Sequence, residues 1–131
     1  MFVLDTNTVL DYFKGKGRVA ERLLAVAPSE IALPAVSAYE VWVGVLGSQN
    51  PKRRREQFEA FLSVVEILPF DAEAGIRAAE LRHNLERAGE AIGPLDTLIA
   101  ATALSHGGVL VTRNLREFAR VPGLKTVNWH D

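Results

Sequence analysis

Four acidic residues lie where a strand ends or a helix begins. Asp5 and Glu117 follow predicted strands, and Glu40 and Asp96 lie near the starts of predicted helices. Carboxylates brought within a few ångströms of one another repel, so some hold protons unless a cation neutralises them. An all-oxygen site without thiolates suits Mg²⁺, with Mn²⁺ as the alternative. Such ions activate water and stabilise charge on a phosphate, which is the chemistry of phosphodiester hydrolysis.

Each acid also has a purely structural explanation. Asp5 is placed to cap the helix that follows it. The pattern Ser37-x-x-Glu40 fits a capping box, in which the acid bonds the backbone at the helix start. Asp96 lies in the first turn after a proline, where a carboxylate meets the helix dipole favourably. Glu117 stands where a second capping box would place its acid. Taken singly, therefore, none of the four is diagnostic.

Short apolar segments alternate with helical ones along the whole chain. The predicted strands are Phe2–Leu4, Ile31–Leu33, Ile67–Leu68, Val109–Thr112 and Thr126–Asn128. The predicted helices run from about Thr8 to Phe13, Arg18 to Val26, Ser37 to Leu46, Lys52 to Val65, Asp71 to Ala88, Pro94 to Ser105 and Leu115 to Phe118. This alternation predicts an α/β fold, a parallel sheet of four to five short strands flanked by helices, in one domain over residues 1–131.

The predicted topology brings the acids to one place. In a parallel sheet, the helix after each strand starts at the sheet's carboxyl edge, where open α/β folds bind ligands. All four acids can gather there, provided that the connector 89–93 returns Pro94 to that edge. Polar neighbours of the acids can orient water or the metal ligands. These neighbours are Thr6, Asn7, Thr112 and Asn114.

Several basic residues lie near the acids in the sequence. Four of them are predicted to contact substrate phosphates: Lys14, Lys16, Arg113 and Arg116. The densest run, 52–55, is more often a solvated helix face. The three histidines, His83, His106 and His130, show no metal-ligand spacing and are interpreted as incidental. Tyr39 and Trp42 are interpreted as core or dimer contacts rather than base-stacking platforms.

The composition narrows the class of protein. The chain has 131 residues and no cysteine, which excludes disulfides and thiolate sites. Its net charge is −1, so the overall charge does not indicate a protein that binds polyanions. No apolar stretch approaches the roughly 20 residues of a membrane span. The apolar run before Asp5 is too short for a signal peptide. We therefore expect a cytoplasmic protein without a membrane partner.

Four sequence motifs together resemble the PIN-domain family, and more closely the VapC-type toxins of bacterial toxin–antitoxin pairs. They are Leu4-Asp5-Thr6-Asn7, Ser37-Ala38-Tyr39-Glu40, the stretch GPLDTLIAATAL at 93–104 and the tail VTRNLREFARVPGLKTVNW at 111–129. The resemblance covers the whole chain and implies a magnesium-dependent endoribonuclease, often a homodimer, inhibited by a VapB-type antitoxin encoded beside it. Asp5, Glu40, Asp96 and Glu117 match the family's catalytic, metal-binding acids. The tail is similar to a subgroup that cleaves initiator tRNA, although Arg113 stands where that subgroup often has Asn.

Three other classes of protein compete with the nuclease. A phosphatase of the haloacid-dehalogenase type needs a second Asp two residues after the first, where this chain has Asn7. A phosphoacceptor receiver domain needs paired acids after the first strand and a late lysine, and neither is evident. A catalytically silent PIN-like module that binds RNA or protein is the strongest alternative. Such a module is expected to lack at least one acid, and this chain has all four.

Overall fold

Five parallel strands form the centre of the molecule. The structure is a computed structural model and describes residues 1–131. The strands are β1 (Phe2–Leu4), β2 (Ile31–Pro34), β3 (Glu66–Leu68), β4 (Val109–Val111) and β5 (Lys125–Val127). They lie in the order β3-β2-β1-β4-β5, and every neighbouring pair is parallel. The predicted α/β fold with a parallel sheet is confirmed, with five strands.

Helices cover both faces of this sheet. They are α1 (Thr6–Lys14), α2 (Val19–Leu24), α3 (Ala35–Leu46), α4 (Pro51–Leu62), α5 (Ala72–Arg87), α6 (Pro94–Ser105) and α7 (Leu115–Phe118), with one 3-10 turn at Pro28–Glu30. No helix is both long enough and apolar enough to cross a lipid bilayer.

The alternation of side chains along the short strands produces two separate cores. Val3 and Ala32 belong to a cluster on one face of the sheet, with Ile99 of α6. Their neighbours Leu4 and Leu33 belong to the cluster on the opposite face. Successive strand residues point to opposite faces, so both faces must be apolar when both carry helices. Because side chains on both faces of the strands are buried, the position of each strand in the sheet is fixed, and so is the point at which it ends.

Two helix starts differ from the sequence prediction in a way that matters for the site. Helix α1 begins at Thr6 rather than Thr8, directly after Asp5. Helix α3 begins at Ala35 rather than Ser37, after Pro34, because proline cannot donate the backbone hydrogen bond that a longer strand would require. Ser37 consequently lies inside the helix and is fully buried.

The segment after α1 is shaped by two glycines. Gly15 ends the helix in a left-handed conformation, with φ of 66°, and Gly17 has φ of 60°. A side chain on Gly17 would place its Cβ 2.7 Å from the backbone oxygen of His130. The loop that contains Lys16 therefore lies directly against the C-terminal residues, an approach that glycine alone permits.

Candidate active site

Asp5 is held rigidly at the carboxyl end of β1. Its backbone N–H donates to the oxygen of Val111 at 3.1 Å, and its side-chain Oδ1 accepts the N–H of Thr8 at 2.9 Å. Thr8 in turn donates its hydroxyl to the same Val111 oxygen at 3.1 Å. Asp5 is thus the helix cap that its position suggested. The cap uses only Oδ1, so the second oxygen of this carboxylate remains free to contact a ligand.

Glu40 is held by a contact that the sequence did not predict. Thr6 Oγ1 donates to Glu40 Oε1 at 2.6 Å, which joins the start of α1 to α3. The capping box proposed for Glu40 does not form, because α3 is capped at Pro34 without a side-chain bond and the hydroxyl of Ser37 has no partner. The capping-box explanation of Glu40 is therefore wrong, and its carboxylate bonds the start of α1 rather than its own helix start.

Glu117 connects two distant segments. Its Oε1 accepts the N–H of Gly93 at 3.0 Å, and its Oε2 accepts the side-chain amide of Asn114. Asn114 makes no side-chain cap for α7, so the second capping box also does not form. A methyl group on Gly93 would lie 3.4 Å from Asp96 Oδ2 and 3.9 Å from Glu117 Oε1. The connector therefore does return α6 to the carboxyl edge of the sheet.

Asp96 experiences the combined effect of the other three acids. The pKa of its carboxyl is raised to about 7, first by burial and then by the charge of Glu117, a hydrogen bond with Glu117 and the charges of Asp5 and Glu40. The helix dipole at the start of α6 favours the anion, yet it is outweighed. The four acids therefore act on one another, as expected for residues that share a site.

The donor set fits a hard divalent cation, although the side chains are not closed around a point. No three Asp, Glu or His side chains are arranged closely enough to hold an ion as they stand. Three acids turn part of their bonding capacity towards the protein: Asp5 towards Thr8, Glu40 towards Thr6, and Glu117 towards Gly93 and Asn114. The pKa of Asp96 is raised first by burial and then by the neighbouring carboxylates, and a cation bound among them would oppose that rise. All four donors are carboxylates, the ligands that Mg²⁺ and Mn²⁺ prefer.

A polar cavity of about 550 Å³ opens beside Asp5. Its lining contains no hydrophobic residue and consists of Asp5, Asn7, Asp11, Lys14, Lys16, Arg113 and Asn114. Three of the four predicted phosphate-contacting cations therefore lie in one place. Arg116 does not line this cavity and is exposed on α7. Of the predicted orienting residues, Thr112 is buried and its hydroxyl accepts the N–H of Asn114 at 3.0 Å.

A buried pair beside this cavity was missed in the sequence. His130 Nε2 lies 2.7 Å from Asp11 Oδ2, and their side chains are only 5% and 12% exposed. Interpreting His130 as incidental was therefore wrong. The two residues are 119 positions apart, so spacing gave no signal, although an acid on the apolar face of α1 was itself a hint. The pair fastens the C-terminal residues to α1, next to the loop of Lys16.

Sequence comparisons identify relatives over nearly the whole chain. The model of the PIN-domain family matches residues 2–124. The chain is 36% identical to the tRNA(fMet)-specific endonuclease VapC of Salmonella typhimurium, over 98% of this chain and 97% of that protein. It is 37% identical to Ribonuclease VapC2 of Rickettsia felis, over 98% of both.

Solved structures agree with these relatives. DNA-bound VapBC from Salmonella typhimurium is similar with a TM-score of 0.90 at 36% identity, over 98% of this chain and 97% of that one. VapBC2 from Rickettsia felis, bound to a fragment of its promoter, gives 0.89 at 33% identity, over 98% of both chains. With the sheet order and the four acids at its carboxyl edge, these matches show that the chain belongs to the PIN-domain family.

Proposed function

We propose that this chain is a magnesium-dependent endoribonuclease that hydrolyses phosphodiester bonds of RNA. The observation that carries the proposal is the environment of Asp96. Its pKa is raised to about 7 by burial and then by Glu117, Asp5 and Glu40, so four acids from four elements share one electrostatic site. Structural acids are normally placed to avoid such repulsion, whereas a metal site requires it. The names of the ribonuclease relatives support the same chemistry.

The hydrogen bonds that each of the four acids makes to the protein indicate its role towards the metal. Asp5 is fixed through Oδ1 and presents its other oxygen, and Asp96 is fixed by its place in α6, so these two are the primary metal ligands. Glu40 spends one oxygen on Thr6 and completes the site with the other. Both oxygens of Glu117 accept protein hydrogen bonds, from Gly93 and from Asn114, so Glu117 contributes its remaining lone pairs or acts through water. When bound there, Mg²⁺ or Mn²⁺ supplies Lewis-acid activation of water and charge stabilisation at the phosphate.

Thr6 and Asn114 position these acids rather than bind metal themselves. The hydroxyl of Thr6 holds Glu40, and the amide of Asn114 holds Glu117. Thr112 in turn holds the backbone of Asn114. Such contacts restrict the carboxylates to one orientation, which raises the effectiveness of a site without adding charge. Asn7, which lines the polar cavity, is placed to orient water or a substrate phosphate.

The substrate proposed is tRNA, and more narrowly initiator tRNA. The Salmonella relative is named for cleavage of tRNA(fMet), and the tail around Glu117 is similar to that subgroup. Lys14, Lys16 and Arg113 line the cavity beside Asp5, where they can hold phosphates on either side of the cut bond. Arg113 adds a positive charge beside the acids, where the similar subgroup often has Asn. We therefore expect this chain to differ from that subgroup in its preference among RNA targets.

We further propose that the chain is the toxin of a toxin–antitoxin pair. Similar solved structures are VapBC complexes, which supports a VapB-type antitoxin as the partner. An Arg or Lys from that partner can pair with Asp5 and Asp96 and take the place of the metal. Expression of this chain alone should arrest growth, and co-expression of the adjacent gene product should relieve the arrest. A folded chain that is harmless alone would overturn the toxin role.

A homodimer in the cytoplasm completes the proposal. Three large apolar residues of α3 lie on one exposed stripe: Tyr39, Val43 and Leu46 are 59%, 56% and 64% exposed. Side chains spaced by three or four residues share one face of a helix, so this stripe offers a contact between two copies. Trp42, by contrast, packs against Phe58 with ring centres 4.9 Å apart and belongs to the core. We place the chain in the cytoplasm because the proposed tRNA substrate would be met there.

The nuclease itself is tested with purified protein and total tRNA, in Mg²⁺ and in EDTA, by sequencing the new RNA ends. We expect cleavage that requires the metal and is abolished by Asp5→Asn and by Asp96→Asn. Asp71→Asn is the matched control, because Asp71 caps α5 through Oδ1 to Ala74 N at 2.9 Å, the geometry of Asp5 on α1. Cleavage by either site variant at the wild-type rate would return the acids to structural roles. No cleavage by any folded sample would favour the silent binding module.

A further inference from the structure

The start of α4 concentrates four consecutive positive charges. Lys52, Arg53, Arg54 and Arg55, here called the α4 basic turn, follow Pro51 at the start of the helix. Three of them are exposed and Arg54 is half-buried. None forms an ion pair. The ion pairs of the chain lie elsewhere, at Arg18–Glu21, Arg77–Glu73 and Arg82–Glu86.

This arrangement is electrostatically unfavourable in the protein alone. The start of a helix carries the positive end of its dipole, so cations are disfavoured there and acids favoured. The first turn of α4 contains no acid at all. Glu56 and Glu59 follow on the same helix, four residues after Lys52 and Arg55, but neither lies within ion-pair distance of a cation. The α4 basic turn therefore presents unpaired positive charge at the positive end of the helix dipole, where an anion is favoured.

The turn is held in shape by neutral contacts. The side chain of Asn50 accepts the N–H of Arg53 at 3.3 Å, which caps the helix. Arg54 Nη1 donates to Gln57 at 3.1 Å, and the guanidinium of Arg55 lies 5.9 Å from the ring centre of Trp42. These contacts orient the side chains through neutral groups, so the positive charges remain available to bind an anionic partner.

One cation, Lys14, lies between the α4 basic turn and the acidic site. Lys14 lines the polar cavity together with Asp5 and Arg113. Lys14 also lines a second cavity, of about 230 Å³, together with Arg54. A polyanion seated beside Asp5 and extending past Lys14 therefore meets the α4 basic turn next.

We propose that the α4 basic turn binds backbone phosphates of the RNA substrate, away from the bond that is cut. The proposal rests on the proposed ribonuclease function and names where the rest of its substrate lies. RNA is favoured over an acidic polypeptide because the same cation, Lys14, lines both the hydrolytic cavity and the cavity of Arg54. The contact supplies affinity and orientation but reads no base, as phosphate contacts in general do.

The expected size of the effect follows from counterion release. Each phosphate contact contributes about 0.7 for single strands, or 0.9 for duplexes, to the slope of log affinity against log salt. Loss of two to three contacts should therefore make that slope shallower by about 2 and weaken binding roughly tenfold or more near 0.1 M salt. Chemistry at the acids should be unaffected once substrate is bound.

The test compares two triple variants with the same change of net charge. One is Lys52→Gln/Arg53→Gln/Arg55→Gln, which leaves Arg54 and its bond to Gln57 in place. The control removes three exposed arginines of α5, by Arg77→Gln/Arg82→Gln/Arg87→Gln. Thermal unfolding is measured for both; the first variant should melt at or above the wild-type temperature, since it relieves an unfavourable helix start.

Affinity is measured in EDTA by fluorescence anisotropy of labelled total tRNA, over a range of salt concentrations. We expect at least tenfold weaker binding and a shallower salt slope for the α4 variant, with the α5 control within about twofold of wild type. Equal effects of both variants, or no effect of the first, would overturn the proposal. So would a selective loss of binding to a poly-glutamate peptide with tRNA binding intact, which would assign the turn to an acidic protein.

A parallel cleavage assay in Mg²⁺ separates this proposal from the proposed function. With total tRNA the α4 variant should show a raised KM at unchanged kcat, and with a short oligonucleotide spanning the cut it should match wild type. Binding that depends on the turn without any cleavage by wild type would refute the nuclease and leave the RNA contact standing. If wild type cleaves RNA but its binding does not depend on the α4 basic turn, the nuclease stands and the RNA contact at the turn is refuted.

Discussion

Replacing Asp96 with Asn tests the electrostatic description of the site most sharply, because two explanations of this residue predict opposite signs. The pKa of its carboxyl is raised from 3.8 to about 7, first by burial and then by Glu117, Asp5 and Glu40. Below about pH 4 the group is protonated in folded and unfolded chains alike. Between pH 4 and 7 the folded chain holds the proton and the unfolded chain does not, so the free energy of unfolding falls as pH rises.

The magnitude follows from the size of the shift. Each pH unit in that window removes about 1.4 kcal/mol, so an unscreened group would lose roughly 4 kcal/mol in all. The carboxyl is only half-buried, and screening by solvent reduces the expected loss to about 2 kcal/mol. In EDTA at pH 8, Asp96→Asn should therefore be more stable than wild type by about 1–2 kcal/mol, since the amide carries no charge to be repelled. At pH 4 the two proteins should be equally stable.

The assay is urea unfolding followed by circular dichroism, from pH 4 to 8, in EDTA and again in Mg²⁺. Glu73→Gln is the control, because Glu73 lies in the first turn of α5 as Asp96 does in α6, but is exposed and paired only with Arg77. A helix-dipole role predicts that both substitutions destabilise by a few tenths of a kcal/mol. Mg²⁺ should stabilise wild type more than Asp96→Asn. A variant that is less stable than wild type at pH 8 in EDTA would refute the reasoning.

Three further predictions test other contacts. Glu40→Gln keeps the shape of the side chain but removes its charge, so RNA cleavage should fall at least about a hundredfold with unchanged stability; wild-type rates would restrict Glu40 to a structural role. Gly17→Ala should destabilise by about 1 kcal/mol more than Gly89→Ala, because both have positive φ but only the Cβ at Gly17 meets a carbonyl oxygen, and equal urea midpoints would contradict this. His130→Ala should cost roughly 3 kcal/mol by leaving Asp11 buried without its partner, whereas Asp11→Asn keeps an oxygen to accept the bond and should cost less.

The strands and the acids were predictable because both follow from local rules. Apolar segments such as Phe2–Leu4 and Val109–Val111 are short, bounded by polar turns and separated by helical periods, so parallel pairing is the economical arrangement. Once the sheet is parallel, Asp5 and Glu117 must lie at its carboxyl edge. Whether the connector returns Asp96 to the same edge was left open by the sequence, and the structure shows that it does.

The contacts that orient the site were not predictable, because they join residues far apart in the chain. Glu40 looked like a partner of Ser37, three residues away, but bonds Thr6, 34 residues away. The position of the helix start explains the difference. Because α3 begins directly after Pro34, two residues earlier than predicted, Ser37 lies inside the helix and cannot cap it. The Asp11–His130 pair likewise spans 119 residues and depends on where the C-terminal segment returns. Local patterns predict which residues reach an edge, whereas tertiary packing decides which partners they find there.

The central claim is that Asp5, Glu40, Asp96 and Glu117 bind one catalytic divalent ion. A crystal of the protein grown with Mn²⁺, with anomalous diffraction collected at the manganese edge, tests it most directly. We expect an anomalous peak coordinated by Asp5 and Asp96, with Glu40 and Glu117 bound directly or through water, and no peak at that position in Asp96→Asn. An anomalous peak bound elsewhere, in a protein that cleaves RNA with Mn²⁺, would contradict it.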